Sequence, residues 1–486
     1  MKRIRPNLNL FAFALLIFSF FGQGKGYVYN PKDWLNLPFV KTIHSITADP
    51  FNVYIGTPDA IYVFNKLQNQ ITRTLTSSDG ITGNIRICAF DRESGLLWIV
   101  ADKTLIGYNV GINLIITLFP NFYIRSLGIA DSYIYFLTDE KPWRMKKKDR
   151  KFQAVDKPDT NAVWFGERNS YKATDYSFLV PYFYLDENLI KHDIRVVFED
   201  RKTLWVGADE YGILTYDLVT KQPISHWRVG LNIGKISKIL SLDNDIWFIG
   251  TNGFAKHSAQ TEDWDYYSTP FGATFSSKSV LLQPKILDLR RIQGISSLVQ
   301  EHNNYWIGSG NRIYHYDQES NVLTPIFAFP IPIQAVSISE DTIFFIAANE
   351  LYRYQAKTKM IDTIFDPYQK LAFGVFDLAQ TESRRYFSVY GGFLSLDTLG
   401  NWQLHIPPGI DLSMPFTSLA GYDNYLFIGM ANGLIVFNEE IEKYDFFTTK
   451  EGLLSNNMNA MYADSNYLWI GTDRGISRFS YRNVLP

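Results

Sequence analysis

The sequence is poor in the residue patterns that carry chemistry. Its 486 residues include one cysteine, Cys88, which excludes an internal disulfide and, within an alternating strand-like run, indicates a buried, inert thiol. The seven histidines show no metal-ligand spacing, and CxxC, HExxH, G-x-S-x-G and Walker patterns are missing. The sequence therefore predicts no metal, no cofactor and no catalytic residue, and enzymatic activity is left open but not favoured.

The sequence also lacks an excess of positive charge and a long internal apolar run. It has 47 basic and 49 acidic residues, a balance that argues against a nucleic-acid partner. The best internal candidate for a membrane span, residues 322–338, is interrupted by Pro325, Pro330 and Pro332. We expect no integral membrane segment once the N-terminal segment has been removed.

That N-terminal segment has the pattern of a secretory signal peptide. Lys2, Arg3 and Arg5 precede a mostly apolar stretch, Leu8–Phe21, and small residues follow it up to Gly24. We expect a signal peptide over residues 1–24, one propeller repeat domain over 25–486, and an exported protein that is periplasmic or extracellular. An uncleaved membrane anchor is the alternative, although the stretch is short for a span.

A strand pattern recurs along the rest of the chain with most steps close to 40 residues. The last copy includes LWIGT at Leu468–Thr472, followed by a turn and a second short strand. When ten copies are aligned on Gly471, the position two residues earlier is aromatic in every copy. These aromatic residues are Tyr54, Trp98, Tyr135, Trp205, Phe248, Trp306, Phe345, Phe387, Phe427 and Trp469. We interpret them as core residues that pack between neighbouring units.

Such a unit, with period-2 alternation and no helical periodicity, is typical of a propeller blade. The sequence predicts an all-β fold, a β-propeller of about ten four-stranded blades. The last copy lacks an outer strand, whereas one precedes the first copy at Asp33–Pro38, so we expect this N-terminal strand to close the last blade. Closure in this way favours one ring, and two smaller propellers remain the alternative.

The copies resemble the two-component regulator propeller repeat. Its pattern is a DGLxxN loop, an inner strand ending in Asp, and LWIGTxxGL, and the last copy matches at Gly452, Leu453, Asn456, Asp464 and Leu468–Thr472. The resemblance implies a propeller of the kind found in periplasmic sensor halves of hybrid histidine kinases, often in polysaccharide-use systems. This chain shows neither a kinase nor a membrane span, so the resemblance implies the propeller and a ligand-binding habit only.

Polar turn residues form one candidate binding rim. In a four-stranded blade, the turn between the second and third strands opens on the same face as the connections between blades, here called the loop face. The candidates on it include Asp59, Asp209, Glu210, Asn311, Arg312, Asp473 and Arg474. The competing interpretation is that they are ordinary turn residues, since Asn, Asp and Gly dominate turns.

A long insertion at residues 153–193 supplies the other candidates. Long loops in compact domains are often functional, and exposed aromatic side chains can stack on sugars or bury against a partner. The aromatic candidates are Trp164, Tyr171, Tyr176 and Tyr182. The insertion is equally open to interpretation as a cap over the ring or as a degraded blade, because VWFG at Val163–Gly166 resembles a repeat strand.

Three functions remain after these exclusions. The first is an exported, non-catalytic binding or scaffold module of the cell envelope, with a glycan or an envelope protein as partner. The second is a propeller enzyme acting on a polysaccharide, as a lyase or glycosidase. The third is a sensor subunit whose transmitter is a separate chain. The missing catalytic patterns favour the first.

Overall fold

The computed structural model shows a β-propeller architecture. The ranges that it describes are 30–121, 123–159, 161–167, 176–180, 182–186, 189–231, 233–242, 245–250, 253–258, 264–268, 295–301, 304–317, 319–320, 322–339, 342–409 and 416–485. Within these ranges the chain forms ten antiparallel sheets, here called blades. Short 3-10 turns lie at Pro31–Asp33, Ser77–Asp79, Leu371–Phe373, Thr449–Glu451 and Tyr481–Asn483.

Blades 1 to 4 are built from consecutive strands. Blade 1 has β2 (Ser45–Ala48), β3 (Asn52–Gly56), β4 (Ile61–Asn65) and β5 (Gln70–Leu75). Blade 2 has β6 (Ile85–Asp91), β7 (Leu96–Ala101), β8 (Thr104–Asn109) and β9 (Leu114–Phe119). Blade 3 has β10 (Ser126–Ile129), β11 (Tyr133–Leu137), β12 (Pro142–Lys146), β13 (Phe152–Ala154) and β14 (Val163–Gly166). Blade 4 has β15 (Phe183–Leu185), β16 (Lys191–Asp200), β17 (Thr203–Ala208), β18 (Gly212–Asp217) and β19 (Pro223–Trp227).

Blades 5 to 10 follow the same plan, except that the last one borrows a strand. Blade 5 has β20 (Ile236–Leu242), β21 (Asp245–Gly250), β22 (Gly253–Ser258) and β23 (Trp264–Ser268). Blade 6 has β24 (Ile295–Glu301), β25 (Asn304–Ser309), β26 (Arg312–Asp317) and β27 (Val322–Ala328). Blade 7 has β28 (Ile333–Ser339), β29 (Thr342–Ala347), β30 (Glu350–Gln355) and β31 (Met360–Thr363).

Blade 8 has β32 (Val375–Gln380), β33 (Arg384–Val389), β34 (Gly392–Asp397) and β35 (Trp402–His405). Blade 9 has β36 (Ser418–Tyr422), β37 (Tyr425–Met430), β38 (Gly433–Asn438) and β39 (Lys443–Phe447). Blade 10 has β40 (Met458–Ala463), β41 (Leu468–Thr472), β42 (Gly475–Phe479) and, as its outer strand, β1 (Trp34–Pro38).

The inner strand of a blade is here the first strand of its four-stranded ladder: β2, β6, β10 and β16 in blades 1 to 4, and β20, β24, β28, β32, β36 and β40 in blades 5 to 10. Contacts between neighbouring blades form two separate cycles. In the large ring the cycle runs through β20, β24, β28, β32, β36 and β40 and returns to β20. In the small ring, β16 contacts β2, β2 contacts β6, and β6 contacts β10 and β14. Phe198 of β16 completes this cycle by packing against the cluster that contains Leu127 and Phe165 of blade 3. The propeller prediction is confirmed, and the arrangement is the alternative with two smaller rings.

The two rings are closed by different means. The large ring is closed as predicted, because β1 pairs antiparallel with β42 from Trp34 opposite Phe479 to Pro38 opposite Gly475. The small ring contains only consecutive strands, and side chains such as Phe64 and Trp205 join its first and fourth blades. We expected closure by the N-terminal strand to favour one ring. The structure has two rings, because β1 completes blade 10 and the small ring closes without it.

The chain enters and leaves the small ring at one point, here called the neck. The backbone N–H of Val40 donates to the carbonyl of Leu231 at 3.1 Å, and the N–H of Leu231 donates to the carbonyl of Pro38 at 3.0 Å. Beside the neck, the Asn36 amide of β1 donates to the Ser77 hydroxyl of the small ring at 3.3 Å, and the Ser77 hydroxyl donates to the Leu453 carbonyl of the large ring at 3.0 Å. Backbone and side-chain hydrogen bonds therefore hold the two rings together.

The ten aromatic residues that recur two positions before the Gly471 position, here called the aromatic column, lie in the core, as the sequence predicts. Nine of its ten members are at least 94% buried, and Trp306 is half-buried. Close packing explains why the LWIGT pattern contains a glycine. A Cβ atom at Gly471 would lie 2.4 Å from Cγ2 of Ile236 in the next blade, and one at Gly207 would lie 2.8 Å from Cγ1 of Val196. Glycine permits the close approach of backbone and neighbouring side chains at these points.

The insertion at residues 153–193 adds strands to existing blades. β14 pairs with β10 as a fifth strand on the axial side of blade 3. β15 pairs with the first residues of β16, Lys191–Asp193, ahead of the part that pairs with β17. In the described part of this insertion, Val163–Gly166 is thus an extension of blade 3 rather than a blade of its own.

Candidate functional site at the mouth of the small ring

A cavity of about 290 Å³ lies on the axis of the small ring, at the end where its inner strands begin. The turn that carries Asp209 lies at the same end, since the Ile43 N–H donates to the Asp209 carboxylate at 3.3 Å. The cavity therefore opens on the loop face. Its polar lining consists of His44, Ser45, Arg86, Arg125, Glu167 and Arg195.

The four basic residues of this lining occupy one equivalent place in each blade, here called the axial position. In blades 2 and 4 it is the extra residue of a β-bulge, since the ladder skips Arg86 between Ile85 and Ile87 and Arg195 between Ile194 and Val196. A bulge leaves one residue unpaired and redirects its side chain. In blades 1 and 3, His44 and Arg125 precede the inner strand and donate their N–H groups to the strand beside it, at 2.8 and 2.7 Å.

The large ring has neutral residues at its axial positions. They are Ser237, Ser296, Gln334, Phe376, Thr417 and Asn459. The axial position therefore carries a basic side chain in every blade of the small ring and in no blade of the large ring. The concentration of basic groups is a property of the small ring and not of the repeat.

The arginines differ in how far carboxylates already neutralise them. Arg125 pairs with Asp139, and Arg195 pairs with Asp209. No ion pair is found for Arg86 within the described ranges; its guanidinium lies 4.4 Å from the Tyr123 ring centroid and donates to the Asp102 carbonyl at 2.8 Å. The Nε atom of Arg86 is buried and has no hydrogen-bond partner. An incoming anion therefore finds one arginine free of a carboxylate and two that can exchange partners.

Burial and the neighbouring arginines decide the protonation of His44. Burial lowers the pKa of His44, and the positive charges of Arg195 and Arg86 lower it further. Burial also raises the pKa of Asp209, although Arg195 and the Ile43 N–H stabilise its ionised form. An anion bound at this mouth would offset the repulsion on His44 and favour its charged form.

The site residues predicted from the turns are not brought together. Asp209 lies at the mouth, and the adjoining Glu210 is exposed, with its N–H donating to the Lys41 carbonyl at 3.0 Å. Asp473 accepts from the Ser455 hydroxyl at 2.6 Å, and Arg474 pairs with Asp59 of blade 1 at 3.4 Å. Arg474 and Asp59 therefore belong to the contact between the rings, and Asp473 is bonded within the large ring.

The other predicted residues lie apart from the mouth. Asn311 donates to the Phe329 carbonyl at 2.8 Å, and Arg312 is exposed at the start of β26, so both belong to blade 6 of the large ring. Trp164 is half-buried and covers Gly128, where an added Cβ would meet its ring at 3.0 Å. Its role in blade 3 is one of packing.

Three aromatic candidates of the insertion remain. Tyr176 is half-buried and donates to the Glu199 carboxylate at 2.8 Å. Tyr182 is 60% exposed and is the aromatic candidate that fits a surface contact. Tyr171 lies outside the described residues.

The sequence held a signal for the basic residues that turn analysis missed. His44 precedes Asp49 by five residues, as Arg86 precedes Asp91 and Arg195 precedes Asp200. Each of these aspartates follows or ends an inner strand. A basic residue at the start of the inner strand is therefore the signal that marks this set, whereas the turn residues lie beside it, between the second and third strands.

Comparison with known proteins identifies the repeat. The family profile described as two component regulator propeller matches residues 452–474. This stretch is a two-component regulator propeller repeat. Two residues at its start have structural roles: Glu451, which immediately precedes the matched residues, accepts from the Thr448 N–H at 2.8 Å, and Gly452 has a φ of 111°. Only glycine adopts such a φ without strain.

Solved structures that resemble the chain are distant. PorZ, a surface component of the type-IX secretion system of Porphyromonas gingivalis, is 10% identical with a TM-score of 0.48, over 92% of this chain and 87% of that one. The extracellular domain of a hybrid two component system from B. thetaiotaomicron is 11% identical with a TM-score of 0.41, over 90% and 70%. A streptogramin B lyase is 14% identical with a TM-score of 0.35, over 59% and 92%.

These likenesses carry no statement about ligand or activity. A search of curated protein sequences finds no match. In the described residues no helix is long and apolar enough to cross a bilayer, and no group of three or more His, Cys, Asp or Glu side chains is placed to hold a metal ion.

Proposed function

We propose that the protein is an exported, non-catalytic propeller that binds an acidic glycan of the cell envelope through the mouth of the small ring. The observation that carries the proposal is the basic side chain at the axial position of all four small-ring blades. Arginine suits this role because its planar guanidinium binds carboxylate, sulfate or phosphate groups through two hydrogen bonds.

The size of the mouth supports a small charged group as the part that is recognised. At about 290 Å³, the cavity is at the lower end of the range of about 300–1,000 Å³ that is usual for ligand pockets. It suits one acidic sugar residue better than a folded surface. Tyr182, which is 60% exposed in the segment that leads into β15 and β16, would stack on a further sugar.

Export remains part of the proposal. The predicted signal peptide, residues 1–24, lies outside the described residues, and its hydrophobic and charged pattern is what supports export. Whether the destination is the periplasm or the outside of the cell follows from the location of the glycan. A glycan-binding propeller would also serve as a sensor subunit if a separate chain reads its occupancy.

Binding of acidic and neutral oligosaccharides tests the proposal. We expect oligogalacturonates to bind in calorimetric titrations at low salt, with affinity falling as salt is raised, and neutral galactan fragments not to bind. The double variant Arg86→Gln with Arg195→Gln should weaken binding at least tenfold. Arg312→Gln is the matched control, since this exposed arginine lies on the large ring.

Two results would overturn the proposal. One is absence of oligogalacturonate binding to the intact protein, and the other is equal loss in the Arg312 control. Capture of an acidic envelope protein that depends on Arg86 and Arg195 would replace the glycan by a protein partner. Turnover of the oligogalacturonate would contradict the non-catalytic assignment.

A further inference from the structure

The axis of the large ring contains a second and larger cavity. It has a volume of about 730 Å³ and is lined by all six inner strands of the ring, β20, β24, β28, β32, β36 and β40. This cavity is here called the lumen. Its axial residues are neutral, so a different position has to supply any charge.

That position is the residue immediately after the axial one. Four of the six blades have a small side chain there, and the remaining two have a charged one. The small residues are Ser297, Ala335, Ser418 and Ala460, and the charged ones are Lys238 and Asp377. Both charged residues line the lumen.

The two charges lie on opposite sides of the lumen. Lys238 is in blade 5 and Asp377 in blade 8, and the cycle of inner-strand contacts places three steps between these blades in either direction. No ion pair within 4.0 Å joins them in the described part of the ring. The carboxylate of Asp377 accepts instead from the N–H groups of Leu419 at 2.8 Å and Leu378 at 2.9 Å.

Burial shifts both side chains of the pair towards their neutral forms. Burial raises the pKa of Asp377 and lowers the pKa of Lys238, and each charge partly offsets the effect of burial on the other. Both side chains are only half-covered, because they border the lumen. A ligand with matching charges would provide the same compensation at hydrogen-bond distance.

The lumen also holds an amide without a partner. The Nδ2 atom of Asn459, at the axial position of blade 10, is buried and makes no hydrogen bond. A buried donor without an acceptor is costly, and native structures usually satisfy such groups. A turn of the Asn459 amide towards the axis would bring this donor within reach of a ligand carbonyl in the lumen.

We propose that the lumen of the large ring binds a small zwitterionic ligand with a carboxylate and an ammonium group at separate ends, as in a short peptide. Lys238 binds the carboxylate, Asp377 binds the ammonium group, and Asn459 donates to a carbonyl between them. This site is independent of the basic mouth of the small ring and takes a different class of ligand.

Three probes of one length test the proposal by calorimetric titration. Triglycine carries both charges, acetylated triglycine lacks the ammonium group, and triglycine amide lacks the carboxylate. We expect triglycine to bind at least tenfold more tightly than either blocked form, because each blocked form leaves one charged side chain unpaired.

Two variants then assign the ends of the ligand. Lys238→Met should abolish the preference for a free carboxylate and keep the preference for a free ammonium group, and Asp377→Asn should do the opposite. Lys235→Met, which removes an exposed lysine just before β20, is the matched control and should change nothing. Far-ultraviolet circular dichroism and a thermal melt establish that each variant is folded.

The proposal is overturned if folded protein shows no triglycine binding, or if the three probes bind equally. It is also overturned if Lys235→Met has the effect expected of Lys238→Met. Oligogalacturonate binding should be unchanged in all three variants, so failure at the lumen is distinguishable from failure at the mouth.

Discussion

The two rings use the same blade but differ in closure and in the chemistry of the axis. The large ring is joined by backbone pairing between β1 and β42, whereas the small ring is joined by side chains and by hydrogen bonds at the neck. The axial position is basic throughout the small ring and neutral throughout the large one. Function can therefore be varied at one register position without altering the packing that makes a blade.

The largest expected effect is on the closure of the large ring. Trp34 is 5% exposed and stacks on Phe479 with ring centroids 4.3 Å apart. Trp34→Ala should lower the free energy of unfolding by about 3–5 kcal/mol, as for other buried aromatic residues. Hydrogen exchange should show the loss of protection in β42 and not in blades 1 to 4.

Phe365→Ala is the control for this prediction. Phe365 belongs to the large ring but is 79% exposed, so its removal should change stability by no more than about 0.5 kcal/mol. A Trp34→Ala protein that melts like the parent would show that β1 does not hold the ring closed.

The next effect compares the two rings at their close blade contacts. Gly471→Ala places a methyl group against Ile236 and should destabilise the large ring by about 1–3 kcal/mol, and Gly207→Ala should do the same to the small ring. Denaturation followed by hydrogen exchange would assign each loss to its ring. Gly111→Ala, in an exposed turn with ordinary contacts, should be nearly neutral, and an equal loss there would contradict the packing argument.

A buried histidine gives the large ring a dependence on pH. His405 is 5% exposed, with Nε2 2.9 Å from the Ser395 hydroxyl, and burial followed by Arg384 lowers its pKa to about 4. The folded state therefore keeps His405 neutral, while the unfolded chain binds a proton below about pH 6.5. The stability from this group is complete above that pH and is lost as pH falls towards 4.

His405→Gln should reduce this loss, which we expect to be about 1–3 kcal/mol between pH 7 and pH 4. Chemical denaturation of parent and variant at pH 7, 5.5 and 4 measures it as the change in their difference, which removes the contributions of other groups. Curves that stay parallel over this range would rule out His405 as the source.

The smallest effect concerns the contact between the rings. Arg474 pairs with Asp59 at 3.4 Å, and the arginine side chain is 43% exposed. A double-mutant cycle with Arg474→Gln and Asp59→Asn should give a coupling energy of about 0.2–1 kcal/mol, since exposed ion pairs contribute little. A coupling above about 2 kcal/mol would mean that this pair, rather than Asn36 and the neck, joins the rings.

The sequence was sufficient for the blade but not for the number of rings. The aromatic column and the glycine beside it report packing between neighbouring blades, and the match between Asp33–Pro38 and outer strands reported closure. The repeat period gives the total number of blades, however, and does not indicate how many blades form each ring. That number depends on the angle between blades, which long-range packing such as that of Phe198 decides.

The site was harder to predict for a related reason. Turn residues such as Asp473 and Arg474 are polar both in binding rims and in contacts between domains, so their type alone did not distinguish the two. The spacing to the aspartate marks His44, Arg86 and Arg195 in the sequence, but their shared place at the axis depends on strand pairing, as in the bulges at Arg86 and Arg195. Bulges are features of strand pairing and leave no fixed residue type in the sequence.

The position of β1 has a consequence for biogenesis. The whole small ring, from β2 to β19, lies in the chain between β1 and the other strands of the large ring, so the large ring is a discontinuous unit with another unit inserted in it. Its first strand is synthesised long before its pairing partner β42. The small ring can fold during this interval, whereas the lumen can form only after the last blade has been synthesised. A chain interrupted before β42 would thus leave a completed small ring beside an open stack of blades with an unprotected edge, which proteases could attack.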